Sequence, residues 1–428
     1  MEQTAVEKRL QSLLDHRQSQ SLLRRLTVAP PGAPDFSSND FLSLSTNKSL
    51  HTAFFNELSK SQGDFRLGSG GSRLLDGNSS LAQDLERDVA LFHNAPAGLL
   101  FNSGFDANSG FFACVPRCGD YVVYDSYIHA SVHDGMRLSR ASSCLPFKHN
   151  SVTDLRALLE RSIKTDRLLE QGSRDVFLAV EAIYSMDGDL TPLQEIIDLV
   201  DQLFPFKNCH IIIDEAHSTG VLGPLGKGLV CQLGLEDRMF ARLHTFGKAM
   251  ASAGAMILCS QTVRQYLINY ARPLIYTTSM SYPSLISIKV SYDFLGSGKV
   301  EALRRHLQAL QTRFYRLLQQ LVTKHPLQGT GILPLTIPAS CPRSPIFSIL
   351  TSEPRNLAAH CQKSGFVVRP VVPPTVPTGT ERIRVCLHAG NTYAQIDALA
   401  AAIELWTVKE MQRRKGLSTC TYADRARL

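Results

Sequence analysis

Ile211-Ile-Ile-Asp-Glu-Ala-His217, followed about one strand–helix–strand unit later by His244-Thr-Phe-Gly-Lys248, decides how this chain folds. The first segment is an apolar strand, His210 to Ile213, ending in a carboxylate, Asp214, with an imidazole, His217, three residues on. The second delivers Lys248 behind a further strand, flanked by Thr245 and Gly247. Both strands are apolar on both faces, as parallel strands covered by helices are.

A lysine, a carboxylate and an imidazole in this arrangement are what pyridoxal phosphate (PLP) requires. Its aldehyde forms a Schiff base with a lysine, and its pyridinium nitrogen needs a buried carboxylate to stay protonated and act as an electron sink. The ring's remaining oxygen needs a hydrogen-bond partner, a role open to His217. Alone, a lysine after a strand is usually a solvated surface residue, and an aspartate at a strand end is usually a helix cap. Asp214-Glu-Ala-His217 also spells the acidic box of a nucleic-acid helicase. That reading demands a G-x-x-x-x-G-K-[ST] phosphate loop upstream, and the chain has none; Gly226-Lys227-Gly228 lacks the spacing and the hydroxyl.

At 428 residues the chain is too long for one small core. Its 44% hydrophobic and 19% charged residues are those of a soluble globular protein, and no apolar run is long enough to span a bilayer, so no membrane partner is expected. The N-terminus reads as an amphipathic helix without the apolar core of a secretory signal. Ten cysteines are scattered singly, with no C-x-x-C pair, which points to free thiols and no metal site. A net charge of +7 favours an anionic substrate such as an acyl-CoA, but no arginine-rich stripe suggests nucleic acid. The chain ends in Ala426-Arg-Leu428, small–basic–leucine, which matches the peroxisomal address read by an import receptor; without it the protein is expected in the cytoplasm.

Four regions are expected: an N-terminal helix and arm over 1–49, with the helix reaching about Arg25; a large α/β domain over 50–295; a smaller α+β domain over 296–413, ending in a helix from Tyr393 to about Arg413; and a flexible tail over 414–428. Strands are expected at Gly98–Phe101, Tyr121–Asp125, Val176–Glu181, His210–Asp214, Arg242–Thr245 and Ala255–Cys259 in the large domain. Ser344–Leu350, Phe366–Arg369 and Arg382–Cys386 read as strands of the smaller one. The fold class is α/β with a mostly parallel central sheet. Ser103-Gly-Phe105 follows a strand and opens a helix, so the amides there can hold a phosphate.

With these residues in order, the chain resembles the α-oxoamine synthases, PLP enzymes of fold type I, over about residues 8–410. The markers include Ser38-Asn-Asp-Phe-Leu42, Gly68-Ser-Gly-Gly-Ser72, Ser103-Gly-Phe105, Ser126-Tyr-Ile-His-Ala-Ser131 and Ser185-Met-Asp-Gly-Asp189. Asp214-Glu-Ala-His-Ser-Thr-Gly220, Thr245-Phe-Gly-Lys248, Tyr276-Thr-Thr-Ser-Met280 and Pro373-Pro-Thr-Val-Pro377 complete them. The resemblance implies that His129 stacks on the PLP ring opposite Ala216 and that Ser185 bonds near the ring oxygen. It implies that Ser103, Gly104, Phe105 and Thr245 serve the phosphate, and that Thr278 is lent to it by the neighbouring subunit of a homodimer with shared sites. Arg384 matches the arginine for the amino acid's carboxylate, and Arg24 the one placed near the acyl chain's distal carboxylate. One departure stands out: where many members carry an arginine before Pro-Pro-Thr-Val-Pro, this chain has Val372, and the nearest arginine is Arg369.

The implied reaction is a decarboxylative condensation of an amino acid with an acyl-CoA or acyl-carrier-protein thioester. Lys248 serves as base and Asp214 as the pyridinium partner; His217 and His129 complete the catalytic set. The Thr245–Lys248 and Ile275–Met280 segments resemble the biotin-pathway group, which uses alanine and pimeloyl-CoA. Alternatives are a secondary-metabolite, sphingoid-like or glycine-using member, or a non-catalytic partner subunit, which should have lost Lys248 or Asp214.

Overall fold

The computed structural model describes residues 3–60, 65–325 and 334–425, with side chains described as far as Arg414. Chain contacts divide it into two compact units, Met1–Pro34 and Asp35–Leu428.

The first unit holds helix α1, Ala5–Ser19. Its start is a capping box: Glu7 N–H donates to Thr4 Oγ1, and Thr4 N–H donates to Glu7 Oε2 at 2.7 Å. The helix was expected to reach about Arg25 and stops at Ser19 instead. Ser21 takes a left-handed φ of 55°, and the amides of Ser21 and Leu22 turn back onto the carbonyls of Gln18 and Arg17. This ends the helix as a Schellman-type cap does. Arg24 therefore lies in an irregular, exposed stretch.

The second unit is built on a seven-stranded sheet. Its strands are β1 (Ala97–Phe101), β2 (Tyr121–Asp125), β3 (Ser143–Phe147), β4 (Val176–Glu181), β5 (Cys209–Asp214), β6 (Ala241–Thr245) and β7 (Ala255–Cys259), in the order β1-β7-β6-β5-β4-β2-β3. All neighbours from β3 to β6 are parallel, and β7 runs antiparallel to β1 and β6. Strand β3 was not anticipated. It contains Pro146, which a sheet tolerates at an edge where one side of the strand needs no partner.

Side chains alternate between two apolar layers. Leu178, Val180, Ile211 and Ile213 join one buried cluster, while Phe177, Ala179 and Ile212 join the other. Period-two alternation sends neighbours on one strand to opposite faces, so the sheet is covered on both. Helices α2 (Gly104–Cys114) and α3 (Ala130–Leu138) follow β1 and β2; α4 (Leu229–Leu233) and α5 (Val300–Lys324) come later in the chain.

A second sheet has the order β8-β10-β9, all antiparallel, from β8 (Ile346–Leu350), β9 (Arg369–Val371) and β10 (Arg382–Cys386). The segment after Pro34 joins it: Phe36 N–H donates to Val367 O at 3.0 Å, and Cys386 N–H to Phe36 O at 2.8 Å. Phe36 and Phe41 are fully buried, so the arm divides at 34/35 and its second part belongs with the body. The regions expected as 50–295 and 296–413 both lie inside the second unit. The last helix, α6 (Tyr393–Arg425), runs well past Arg413 into the stretch expected to be a flexible tail; Ala426-Arg-Leu428 lie outside the described residues. Among the described residues no helix is long and apolar enough to cross a membrane, and no cluster of His, Cys, Asp or Glu is placed to hold a metal ion.

Candidate active site

The carboxyl ends of the parallel strands gather the polar groups, as open α/β sheets do. Asp214 closes β5 and is 8% exposed. Its Oδ1 accepts the Ala216 N–H at 2.8 Å, and its Oδ2 accepts the Asn108 side-chain amide, also at 2.8 Å. Asn108 donates as well to Ser131 Oγ at 3.0 Å, and Ser131 Oγ lies 2.8 Å from Nδ1 of His129, the residue that caps α3. Asp214 and His129 are thus tied by two buried intermediates. Asn108 escaped the sequence reading because it belongs to no motif. Its one signal is its place four residues beyond Gly104 on α2, which puts it on the helix face below the phosphate turn.

Beside Asp214, on β4, stands Glu181, its register partner across the parallel pair and 3% exposed. Burial, then the charge of Asp214, push the Glu181 carboxyl well above the usual range. Its Oε1 has no partner among the described residues. Both effects favour the protonated form of Glu181.

Lys248 sits in the tight connection between β6 and β7. Phe246 N–H bonds to Gly254 O, Ser252 N–H to Phe246 O and Ala251 N–H to Lys248 O, which close the loop on itself. Gly254, with φ +95°, has no room for a side chain: a Cβ would stand 2.7 Å from Met280 Cε. The lysine Nζ lies 3.0 Å from His217 Nε2. Burial lowers the pKa of the amine against the pull of Asp214. Burial, then the Lys248 and Arg384 charges, hold His217 well below the ordinary imidazole value. His217 is therefore neutral, accepts from Lys248, and has a buried Nδ1 with no partner among the described residues.

At the other end, Ser103 caps α2 by accepting the Asp106 N–H at 3.0 Å, while its hydroxyl donates to Asp106 Oδ2 at 2.8 Å. Ser103 Oγ is committed there, so what the turn offers an anion is the first amides of the helix, at Gly104 and Phe105. A Cβ on Gly104 would stand 3.4 Å from Thr245 Oγ1. The helix start and the Thr245 hydroxyl are therefore adjacent.

Arg384 on β10 is 8% exposed; its Nε donates to Ser185 O at 2.5 Å and its Nη2 to Asn39 Oδ1 at 2.8 Å. Asn39 lies in a marker segment, but its hold on the guanidinium was not foreseen. Arg369, half-buried on β9, stands opposite Arg384 in the register, so both project from the same face of the small sheet. Ser185, Tyr127, Asp187 and Pro373–Thr378 line a cavity of about 480 Å³. Of the expected site residues, Thr278 is exposed, with its carbonyl accepting Asn102 Nδ2 at 2.6 Å. Arg24 belongs to the first compact unit. Of the others, His129 is linked to Asp214 and His217 to Lys248, Ser103, Gly104, Phe105 and Thr245 meet at the start of α2, and Ser185 lies beside Arg384.

One wall of that cavity is fastened by an imidazolium. His149 Nδ1 bonds Asp125 and Nε2 bonds Asp189, both at 2.9 Å, and its ring stacks on Tyr127 at 4.3 Å. Burial opposes the charge, but the two carboxylates prevail and raise the pKa to about 9. Between an unfolded value of about 6.5 and that folded value the native state holds the extra proton, so stability falls as pH rises. Melting temperature is expected to drop between pH 7 and 9.5 more steeply in the wild-type protein than in His149→Gln. Parallel profiles would show that the pair of aspartates does not bind a charged ring.

A lysine amine, a buried carboxylate, an orphaned imidazole nitrogen and a helix start, all at the strand ends of such a sheet, define the site of a fold type I PLP enzyme. A buried nitrogen with no bond and a cradle of free amides are what PLP's ring oxygen and phosphate would satisfy, so the residues present fit the cofactor. The family model for aminotransferase class I and II matches residues 34–403, and the chain belongs to that family and, within it, to the α-oxoamine synthases, whose cofactor is PLP. It is 50% identical to an 8-amino-7-oxononanoate synthase of Emericella nidulans, over 95% of this chain and 97% of that one. It is 38% identical to an aminoacyl transferase sphA of Aspergillus fumigatus, over 92% and 86% respectively. Among solved structures, an 8-amino-7-oxononanoate synthase from Francisella tularensis superposes with a TM-score of 0.68 at 27% identity, covering 89% of this chain and 99% of that one.

Proposed function

We propose that this chain condenses L-alanine with pimeloyl-CoA, releasing CoA and carbon dioxide and giving 8-amino-7-oxononanoate, a step of biotin biosynthesis. The observation that carries this reading is the 50% identity to the Emericella enzyme along almost the full length of both chains. The site geometry supports a PLP-dependent acyl transfer of this kind.

Bound here, PLP supplies an electron sink for a carbanion at the amino acid's Cα. Lys248 is its covalent anchor and the base that moves the Cα proton. A depressed amine pKa suits that task, because more of the amine is unprotonated near neutrality. Asp214, locked by Asn108 and the Ala216 amide, would face the pyridine nitrogen as a fixed charge. His217 would offer Nδ1 to the ring oxygen, His129 would lie over the ring, and Gly104, Phe105 and Thr245 would hold the phosphate. Ser103 acts by shaping that turn, and Ser185, which lines the substrate cavity, would bond near the ring oxygen. Arg384 orients the substrate carboxylate.

Crossing alanine, glycine and serine with pimeloyl-, succinyl-, acetyl- and palmitoyl-CoA, and reading released CoA with product mass, tests the assignment. Alanine with pimeloyl-CoA is the expected best pair. Serine with palmitoyl-CoA as best pair would transfer the chain to the sphingoid-like alternative. Arg384→Lys should weaken alanine binding by about 1.5–3 kcal/mol, the worth of a charged hydrogen bond that an ammonium cannot place in fork geometry. PLP content should hold. An unaltered alanine dissociation constant would move the anchor to Arg369 or another group.

The working unit is a homodimer. Exposed apolar side chains at Leu75, Phe105 and Tyr276, around the segment carrying Thr278, support this, and Thr278 would then serve the partner's phosphate site. Light scattering should give twice the 47.2 kDa chain mass. Ala426-Arg-Leu428 would direct the enzyme to peroxisomes through the import receptor. A fluorescent fusion with a free C-terminus should be punctate and become diffuse when the tripeptide is removed.

A further inference from the structure

The four hydrogen bonds that join Asp214 to His129 each have only one possible direction. Asp214 Oδ2, a carboxylate oxygen, accepts, so Nδ2 of Asn108 faces it at 2.8 Å. The other hydrogen of that nitrogen goes to Ser131 Oγ at 3.0 Å. At the far end, the backbone N–H of Ser131 lies 3.2 Å from Nδ1 of His129. A backbone amide only donates, so Nδ1 is an acceptor and carries no hydrogen. The Ser131 hydroxyl, already accepting from Asn108, therefore donates to the same Nδ1 at 2.8 Å.

One tautomer follows. With Nδ1 accepting twice, the His129 ring is neutral and its hydrogen sits on Nε2, because a proton on Nδ1 would face two donors. Asn108 and Ser131 are 4% and 0% exposed, which keeps solvent from substituting for either link. The ring itself is exposed, and its Nε2 makes no hydrogen bond among the described residues. A donor is thus held open at one end of the chain of bonds, and the charge that orients the chain stands at the other. Were Asn108 to turn its oxygen toward Ser131, the hydroxyl would donate there, and Nδ1 of His129 would lose that partner.

We propose that Ser131 and Asn108 are positioning residues of the acyl transfer: they hold His129 in its Nε2–H tautomer and make that state depend on the charge of Asp214. Both are buried and act through His129. Its Nε2–H is offered to an oxygen of the bound substrates, where a donor fixed in advance needs no reorganisation during the reaction. What that donor meets rests on the acyl-transfer reading above; the tautomer is set by the fold whichever substrates bind.

The test is two-bond hydrogen–nitrogen NMR of the PLP-loaded enzyme labelled with ¹⁵N-histidine, with the His129 signals identified by their loss in His129→Asn. At about pH 8, where an ordinary imidazole is uncharged, the wild-type ring should show one tautomer with its hydrogen on Nε2. Ser131→Ala should show mixed tautomers at unchanged PLP content, and kcat/KM should fall about tenfold, the worth of one positioned hydrogen bond. A loss confined to the KM for alanine places the Nε2 donor on the amino acid; a loss in kcat/KM for the thioester places it on the acyl oxygen. Asp214→Asn sets an NH₂ group against Asn108. Turning the Asn108 oxygen to meet it would draw the Ser131 hydrogen away, so the same mixed tautomers should appear without any substrate present. A hydrogen on Nδ1 in the wild-type enzyme, or unchanged turnover in Ser131→Ala, overturns the proposal. A single Nε2–H tautomer persisting in Asp214→Asn overturns its dependence on charge. Failure of alanine and pimeloyl-CoA to react, with the tautomer as expected, would instead fault the substrate assignment.

Discussion

Lys248→Ala is expected to reduce turnover by about 10⁴-fold or more, since it removes a covalent anchor and a general base together. The visible absorbance of the anchored cofactor should vanish, and borohydride should no longer fix PLP to the 241–254 peptide. The fold should persist. The loop is closed by backbone bonds from Phe246 to Gly254 that do not involve the lysine side chain. What the truncation leaves behind is a neutral His217 that loses a donor at Nε2. A circular-dichroism spectrum like that of the wild-type protein, with activity gone, is the expected pair of results. Near-normal turnover, or reducible PLP on a different lysine, would remove Lys248 from the centre of the site.

The strands were legible in the sequence because they are apolar on both faces and bounded by polar ends. Six strands of the large sheet appear within about a residue of the expected bounds. Strand β3 was hidden by Pro146, which argues against a central strand and is compatible only with an edge. The end of α1 was missed because Ser21 carries the left-handed turn where a glycine would have announced it. At the site, residues that react or bear charge could be picked out: Lys248, Asp214, His217, His129 and Arg384. Those that hold them could not. Asn108, Asn39 and Glu181 act through contacts made across 106, 345 and 33 positions of chain, and only the assembled sheet brings them together. The first two separations are those of the bonds to Asp214 and Arg384; the third is the register step from Glu181 to Asp214. Thr278 and Arg24 mark the opposite limit. Their expected roles depend on a second subunit or on the placement of the N-terminal unit, which one chain's residue pattern does not encode.

Asp214→Asn should cost about 10²–10⁴-fold in turnover while PLP still binds, since a fixed charge at a reacting ring is worth that much. The two bonds to Asp214 make this substitution informative. Ala216 N–H and the Asn108 amide both donate to the carboxylate, one to each oxygen. Asparagine has one acceptor oxygen, so one of these donors must face the new NH₂ group. The single variant therefore combines a lost charge with a buried donor clash. Adding Asn108→Asp separates the two effects. In the Asn108→Asp/Asp214→Asn pair the new amide donates to the new carboxylate, so melting temperature should recover most of what the single variant loses. Activity should not recover, because the negative charge then sits on α2 instead of at the end of β5. Exchange of the alanine Cα proton with deuterated solvent reads the proton-moving step directly and should be slow in both variants. If exchange proceeds at the wild-type rate in Asp214→Asn, the carboxylate is a structural cap and the electron sink is held by another group. If the double variant regains turnover along with stability, hydrogen bonding at position 214 matters and charge does not.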